Sequence, residues 1–150
     1  MSEPNEVLSV VRQWVWKADS DLQAATYILQ LGEDGPTDAV CFHAQQCIEK
    51  YVKAFLVLAG IEFPWTHNLG VLIAYLPQQI RLSLTPEEQE RLTNYATTTR
   101  YPGDYEPIAV AEARQAVRLA RRARREIRRQ LPQKAWQKPS PRKTRRRSQV

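Results

Sequence analysis

Glycine, cysteine and histidine are scarce in this sequence of 150 residues, and their scarcity excludes several kinds of site. Five glycines, placed at predicted breaks or helix ends, do not form a glycine-rich phosphate-binding loop. The cysteines and histidines show neither a CxxC nor an HxxxH spacing, so we predict no metal site. These cysteines and histidines are Cys41, His43, Cys47 and His67. We also expect that the protein binds no cofactor.

Long apolar runs are also missing. No stretch approaches the roughly 18 apolar residues of a membrane-spanning helix, and the first residues show no basic region followed by an apolar one. Cys41 and Cys47 lie six residues apart on a predicted helix, which places their Cα atoms about 9 Å apart, too far for a disulfide. We predict free thiols, no membrane contact and a cytoplasmic location.

Acidic residues are absent from the end of the chain. Residues 1–105 carry 7 Lys and Arg against 13 Asp and Glu, residues 106–131 carry 8 against 3, and residues 132–150 carry 7 against none. The last stretch has three prolines and no periodicity, so it offers little apolar surface to offset the entropy of ordering. We predict one helical domain over 1–131 and a disordered Lys/Arg-rich tail over 132–150.

Strand-like alternation is missing throughout, whereas helical periods are present in most of the chain. The predicted first helix follows apolar steps of three and four from Val7 to Leu29, and the second runs from Thr37 to Gly60. The third covers 68–76, and the fourth begins with Thr85, Pro86 and Glu88 in a capping box. These patterns predict an all-α fold, a compact up-down bundle of about five helices.

The fifth predicted helix carries small and apolar residues inward and a row of arginines outward. Solvation of the helix surface explains the row, and attachment to nucleic-acid phosphates is the alternative. The arginines predicted to project outward are Arg114, Arg118, Arg121, Arg125, Arg128 and Arg129.

The second helix has an apolar arc and, on its other side, a mixture of apolar and long polar residues. A solvated face would carry charges alone, so we expect this helix to contact something on both sides. A neighbouring helix would explain the pattern, and so would a second copy of the chain, since symmetric dimers are the commonest oligomers. The mixed face holds Phe42, His43, Gln46, Lys50, Lys53, Ala54 and Val57.

The stretch TTTRYPGDYEP at 97–107 carries more chemistry than a turn requires. Arginine presents a planar fork of donors to phosphate, lysine a point charge, and tyrosine a stacking face with a hydroxyl. Each residue also has a structural explanation: Arg100 next to helix-terminal carbonyls, the tyrosines over the core, the lysines as solvated stems and His43 as a bonded interior side chain. The predicted nucleotide- or RNA-binding residues are Arg100, Tyr101, Tyr105, Lys50, Gln46 and His43.

Three segments in order resemble the HEPN domain family of prokaryotes: CFHAQQCIEKYVKAFLVLAGI at 41–61, THNLGVLIAYL at 66–76 and TRYPGDY at 99–105. The similarity also includes KADSDLQAATYIL at 17–29. The resemblance implies a compact helical bundle, usually a homodimer. It further implies a small nucleotidyltransferase-like partner encoded alongside as a toxin-antitoxin pair, with Tyr105 or Tyr101 as a residue that this partner modifies.

Many members of this family are metal-independent endoribonucleases with an Arg followed, after four to six residues, by a His. Arg100 occupies the Arg position, but Tyr105, Glu106 and Pro107 stand where the His would be. Tyrosine titrates too high to replace histidine as a general base at neutral pH. The prediction is therefore a non-catalytic nucleotide- or nucleic-acid-binding module. The alternatives are an endoribonuclease toxin using Arg100 with His43, and a purely structural dimeric subunit that binds a protein partner.

Overall fold

The structure, a computed structural model, describes residues 3–97 and 106–139. These ranges contain five α-helices and no strand, which confirms the predicted all-α bundle. None of the helices in them is long and apolar enough to cross a membrane. The helices are Pro4–Leu29 (α1), Thr37–Leu58 (α2), Leu69–Ala74 (α3), Pro86–Thr97 (α4) and Val110–Arg128 (α5), with short 3-10 helices at Gly32–Asp34 and Gln133–Trp136.

Helix α2 is the centre of the bundle and packs against α1, α3, α4 and α5. Contacts with α1 run in opposite order along the two helices: Trp14 lies beside Lys53, and Asp21 lies beside His43. The two helices are therefore antiparallel. Helix α2 ends where Gly60 adopts a positive φ of 68°, a left-handed conformation that glycine reaches without strain.

The capping box predicted for α4 is present in full. The Glu88 backbone N–H donates to Thr85 Oγ1 at 3.1 Å, and the Thr85 N–H donates to Glu88 Oε1 at 3.0 Å. Glu88 also approaches Arg122 of α5 at 3.5 Å, while Tyr95 near the other end of α4 donates to Glu112 at 2.6 Å. Helices α4 and α5 are thus antiparallel, as the up-down order requires.

One carboxylate joins three helices inside the bundle. Asp19 of α1 accepts hydrogen bonds from the hydroxyl of Tyr51 on α2 and from two arginines of α5. Arg124 Nε lies 2.8 Å from Asp19 Oδ1, and an Arg128 terminal nitrogen lies 2.8 Å from Oδ2. Tyr51 is completely buried, and both arginines also donate to its oxygen. These contacts fix the lateral positions of α1, α2 and α5.

One prediction about the end of α5 needs correction, and the chain after this helix still contacts the bundle. Arg128 does not project outward but turns toward Asp19, because its long side chain reaches the α1 side of α5. The folded part also continues past residue 131: Ala135 is fully buried, and the Trp136 ring lies 5.0 Å from the Arg128 guanidinium carbon. Ala135 and Trp136 of the predicted tail therefore contact the bundle, and the disorder predicted for 132–150 stays a prediction. Residues 140–150 lie outside the described ranges.

Removing the charge of Asp19 should destabilise the bundle. In Asp19→Asn, Arg124 and Arg128 lose their carboxylate partner while they remain partly buried, and we expect the free energy of unfolding to fall by about 2 to 4 kcal/mol. Urea unfolding followed by circular dichroism measures the loss. Asp34→Asn is the matched control, because Asp34 is exposed in the first 3-10 helix. Equal stability of the two variants would contradict the role of Asp19.

Stability should also fall at alkaline pH. Burial, reinforced by the Glu112 carboxylate, raises the pKa of the Cys41 thiol from its ordinary 9.0 to about 12. The folded state therefore holds this proton more tightly than the unfolded state, so the stabilisation is complete below pH 9.0 and is lost as the pH rises toward 12. Between these values, Cys41→Ala should show a pH slope of unfolding free energy shallower by about 1.4 kcal/mol per pH unit. An unchanged slope would contradict this assignment.

Candidate functional site

Two of the predicted site residues on α2 contact one carboxylate of α1. His43 Nδ1 lies 2.8 Å from Asp21 Oδ1, and the Lys50 ammonium donates to Asp21 Oδ2. All three side chains are largely covered; the imidazole is the most exposed, at 30%. Helix α1 therefore covers the mixed face of α2, and of the two explanations for that face the neighbouring helix is the one observed.

Gln46, the third predicted residue on α2, is buried beside this cluster. Its side-chain amide donates to Gln45 Oε1 at 2.6 Å, and the residue is 8% exposed. Lys50 is already paired with a carboxylate, so its charge is not free for a phosphate. The structure brings His43, Gln46 and Lys50 together on one side of α2, while their contact with a nucleotide stays a prediction.

The predicted loop residues Arg100, Tyr101 and Tyr105 lie outside the described residues. The described chain on either side of them can be located: α4 ends at Thr97, and after the gap Ile108 accepts a hydrogen bond at 2.7 Å from Thr37 Oγ1, in the first turn of α2. The chain that resumes at residue 106 thus lies beside the amino end of α2 before α5 begins at Val110.

A second cluster, which the sequence analysis did not identify, lies on the next part of the α2 surface. Glu49 is 2% exposed and accepts from three side chains. Lys53 Nζ lies 3.2 Å from its Oε2, while His67 Nδ1 at 2.8 Å and Gln45 Nε2 at 3.2 Å share its Oε1. Gln45 also donates to the His67 carbonyl at 3.3 Å, so backbone and imidazole of His67 are both held.

Aromatic rings enclose the ammonium group of this cluster. Lys53 Nζ lies between 5.6 and 5.9 Å from the ring centroids of Trp14, Phe63 and Trp65, within the range of cation–π attraction. Lys53 itself is 4% exposed, whereas Trp65 is 95% exposed. Because Lys53 lies over one face of the Trp65 indole, the other face is turned to solvent.

The imidazole of His67 is oriented for chemistry at its outer nitrogen. With Nδ1 bonded to a carboxylate, the neutral ring carries its proton on Nδ1 and presents Nε2 as an acceptor; the protonated ring presents Nε2 as a donor. The His67 side chain is 53% exposed. Together, Glu49, Lys53, Trp65 and His67 form what we call the indole–imidazole site.

His67 and His43 lie on different sides of α2. The Leu69 N–H, two residues after His67, donates to Thr93 Oγ1 in the last turns of α4. Gln45, which holds His67, and His43 are two residues apart on α2, so they point about 160° away from each other around the helix. His43 faces α1, and His67 lies on the side of α4.

Sequence signals for this site were available in part. Glu49 and Lys53 have the i, i+4 spacing of a helical ion pair, and the segment FPWTH places two aromatic residues just before His67. His67 lacks the spacing of a zinc ligand, and its contact with Glu49 depends on how the loop folds back. Within residues 3–97 and 106–139, no three His, Cys, Asp or Glu side chains are grouped to hold a metal ion. Cys41 and Cys47 are free, as predicted, and both are buried.

Comparisons with known proteins agree with this architecture. The chain is similar to the crystal structure of TT1696 from Thermus thermophilus, with a TM-score of 0.68 and 28% sequence identity; the match covers 81% of this chain and 98% of that one. No curated protein is similar enough in sequence to match. A family model described as HEPN domain matches residues 11–130, a range that includes all of α2 to α5 and both polar clusters. The chain therefore belongs to the HEPN domain family.

Proposed function

We propose that this HEPN domain protein binds nucleotides or RNA at the indole–imidazole site and does not cleave them. The observation that carries the proposal is the nearly full exposure of the Trp65 indole above Lys53, beside an imidazole fixed by Glu49. Stacking of a base on an aromatic ring contributes about 1 to 3 kcal/mol and tolerates any base. His67 Nε2 supplies a hydrogen bond to the base edge or the phosphate.

Burial of the supporting groups explains why this surface suits a ligand. Lys53 and Glu49 are almost completely covered, and their opposite charges neutralise each other inside the protein. Neither residue therefore presents an unpaired charge at the nearby surface. Glu49 orients the ring of His67 before a ligand arrives, and Lys53 lies over one face of the Trp65 ring. A preformed site of this kind loses less entropy on binding than one that orders its side chains.

We also propose the partners that the family resemblance implies: a homodimer working with a nucleotidyltransferase-like protein, with Tyr105 or Tyr101 as a residue that this partner modifies. Only the resemblance supports these partners. The mixed face of α2, which would otherwise favour a dimer, is covered by α1 of the same chain.

Binding should depend on Trp65 and His67. Titration of AMP and of a fluorescein-labelled oligoribonucleotide into Trp65→Ala should give a Kd at least about fivefold weaker than that of the wild type, because a stacking contact is lost. His67→Ala should also weaken binding. The matched control is Trp16→Ala, an exposed tryptophan of α1. Binding by Trp65→Ala equal to that of Trp16→Ala would contradict the site, and a wild type that binds neither probe would favour the structural subunit.

A second candidate function is metal-independent cleavage of RNA. The observation that favours it is the Glu49–His67 pair on the α4 side, since a carboxylate-oriented imidazole is the arrangement of a general base. Arg100 follows three residues after the end of α4. In this hypothesis His67 takes the role that was assigned to His43.

The two functions separate in one assay. Incubation of a mixed RNA with the wild type in excess chelator should yield no cleavage if the protein only binds. Cleavage that disappears in both Arg100→Ala and His67→Ala but persists in His43→Ala would establish the second function and overturn the first. Circular dichroism confirms that each variant is folded, and light scattering reports whether it is dimeric.

A further inference from the structure

Helix α5 carries a stripe of exposed arginines that the indole–imidazole site does not use. At 3.6 residues per turn the five lie within an arc of about 80° and extend over about 22 Å of helix. All five are exposed. This arginine face consists of Arg114, Arg118, Arg121, Arg125 and Arg129.

The arginine face, whose last member Arg129 directly follows α5, differs from the other three arginines of the helix. Arg122 approaches Glu88 and Glu126, and Arg124 and Arg128 pair with Asp19. In the described part of the chain, no carboxylate lies within ion-pair distance of any residue of the arginine face. Among the residues that the structure describes, Arg118 donates hydrogen bonds to the neutral Gln115 side chain, and Arg121 donates one to the Thr26 hydroxyl at 3.3 Å.

The spacing of the arginine face concentrates like charge. Its members follow one another at steps of three or four residues, which makes consecutive guanidinium groups neighbours on the helix surface and unfavourable to each other. An open concavity of about 500 Å³ runs beside them, lined by Gln115, Arg118, Leu119, Arg121, Arg122 and Arg125. A polyanion lying in this concavity would neutralise several guanidinium groups at once.

The residue types on α5 indicate which polyanion fits. No large apolar side chain of α5 is exposed, so the helix lacks the apolar face that inserts into a lipid surface or anchors a protein interface. Every basic residue of the helix is arginine, whose planar fork matches phosphate oxygens in bidentate geometry. The members of the arginine face follow one another at regular intervals along the helix, as phosphates do along a nucleic-acid strand.

We propose that the arginine face binds the phosphate backbone of single-stranded RNA, independently of sequence. The inference rests on the proposed function, because it makes a polymer, and not only a mononucleotide, the ligand of this protein. It adds a second contact surface on another helix. The indole–imidazole site would then contact a base, while the arginine face adds affinity that depends on ionic strength.

Salt dependence of RNA affinity tests this inference in the full-length protein. With about 0.7 counterions released per phosphate, five contacts give a slope of log affinity against log salt of about −3.5, or roughly a 100-fold loss between about 50 and 200 mM salt. The triple variant Arg114→Gln, Arg118→Gln, Arg125→Gln should reduce the slope by about 2. Anisotropy of a labelled oligouridylate measures both slopes.

The control variant removes the same charge elsewhere. Lys17, Arg91 and Lys134 are exposed outside α5, and changing all three to Gln should leave the slope close to that of the wild type. An equal reduction in both triple variants, or none in the arginine-face variant, would overturn the inference. Binding to phosphatidylserine vesicles that requires the arginine face, without an effect on RNA, would also overturn it and assign the face to a membrane.

The same variants distinguish this inference from the proposed function. AMP carries one phosphate, so its Kd should change with Trp65→Ala and not with the arginine-face variant. One outcome is that AMP binding depends on Trp65 while the salt slope of RNA affinity is unchanged in the arginine-face variant. The indole–imidazole site is then supported, and the arginine face is a solvated surface. If RNA binding depends on the arginine face while Trp65→Ala has no effect on AMP or RNA, the proposed base contact fails instead.

Discussion

The half-buried carboxylate of Asp19 accepts hydrogen bonds from a buried tyrosine of α2 and two arginines of α5, so the packing of three helices depends on one side chain. Helix α1 is held against α2 and α5 at this point. The same contact sets the position of Asp21, two residues further along α1, which in turn holds His43 and Lys50. The network thus determines which polar groups of α2 are covered and which remain exposed.

Residues of α2 take part in two clusters that contain the same residue types but differ in their exposure to solvent. In each, a carboxylate is shared by a lysine and a histidine: Asp21 with Lys50 and His43, and Glu49 with Lys53 and His67. The first lies under α1, and its histidine is 30% exposed; the second lies under a loop, and its histidine is 53% exposed. A helix covers its neighbour continuously, whereas a loop leaves openings, so the second cluster is the more exposed to solvent.

Local signals in the sequence were sufficient for most of the fold. The apolar steps of α1 and the capping box of α4 involve residues at most four positions apart, and such patterns depend on the helix alone. Contacts between residues far apart in the chain were not predicted. His67 meets Glu49 across 18 positions, and Arg124 meets Asp19 across 105. Pairs so distant depend on how loops close and helices pack, so His67 was missed and Arg128 was placed on the wrong side of α5.

The 3-10 helix after α5 changes how the basic end of the chain can be studied. Arg12 donates at 2.7 Å to the carbonyl of Lys134, and Lys138 lies over the ring of Trp16, so this segment runs along α1. A truncation placed by charge alone, after residue 131, would strip Ala135 and Trp136 from that surface and leave Arg128 without its ring. Any change in nucleic-acid affinity would then mix a packing defect with a loss of charge. A cut after Pro139 keeps these contacts and removes only residues 140–150.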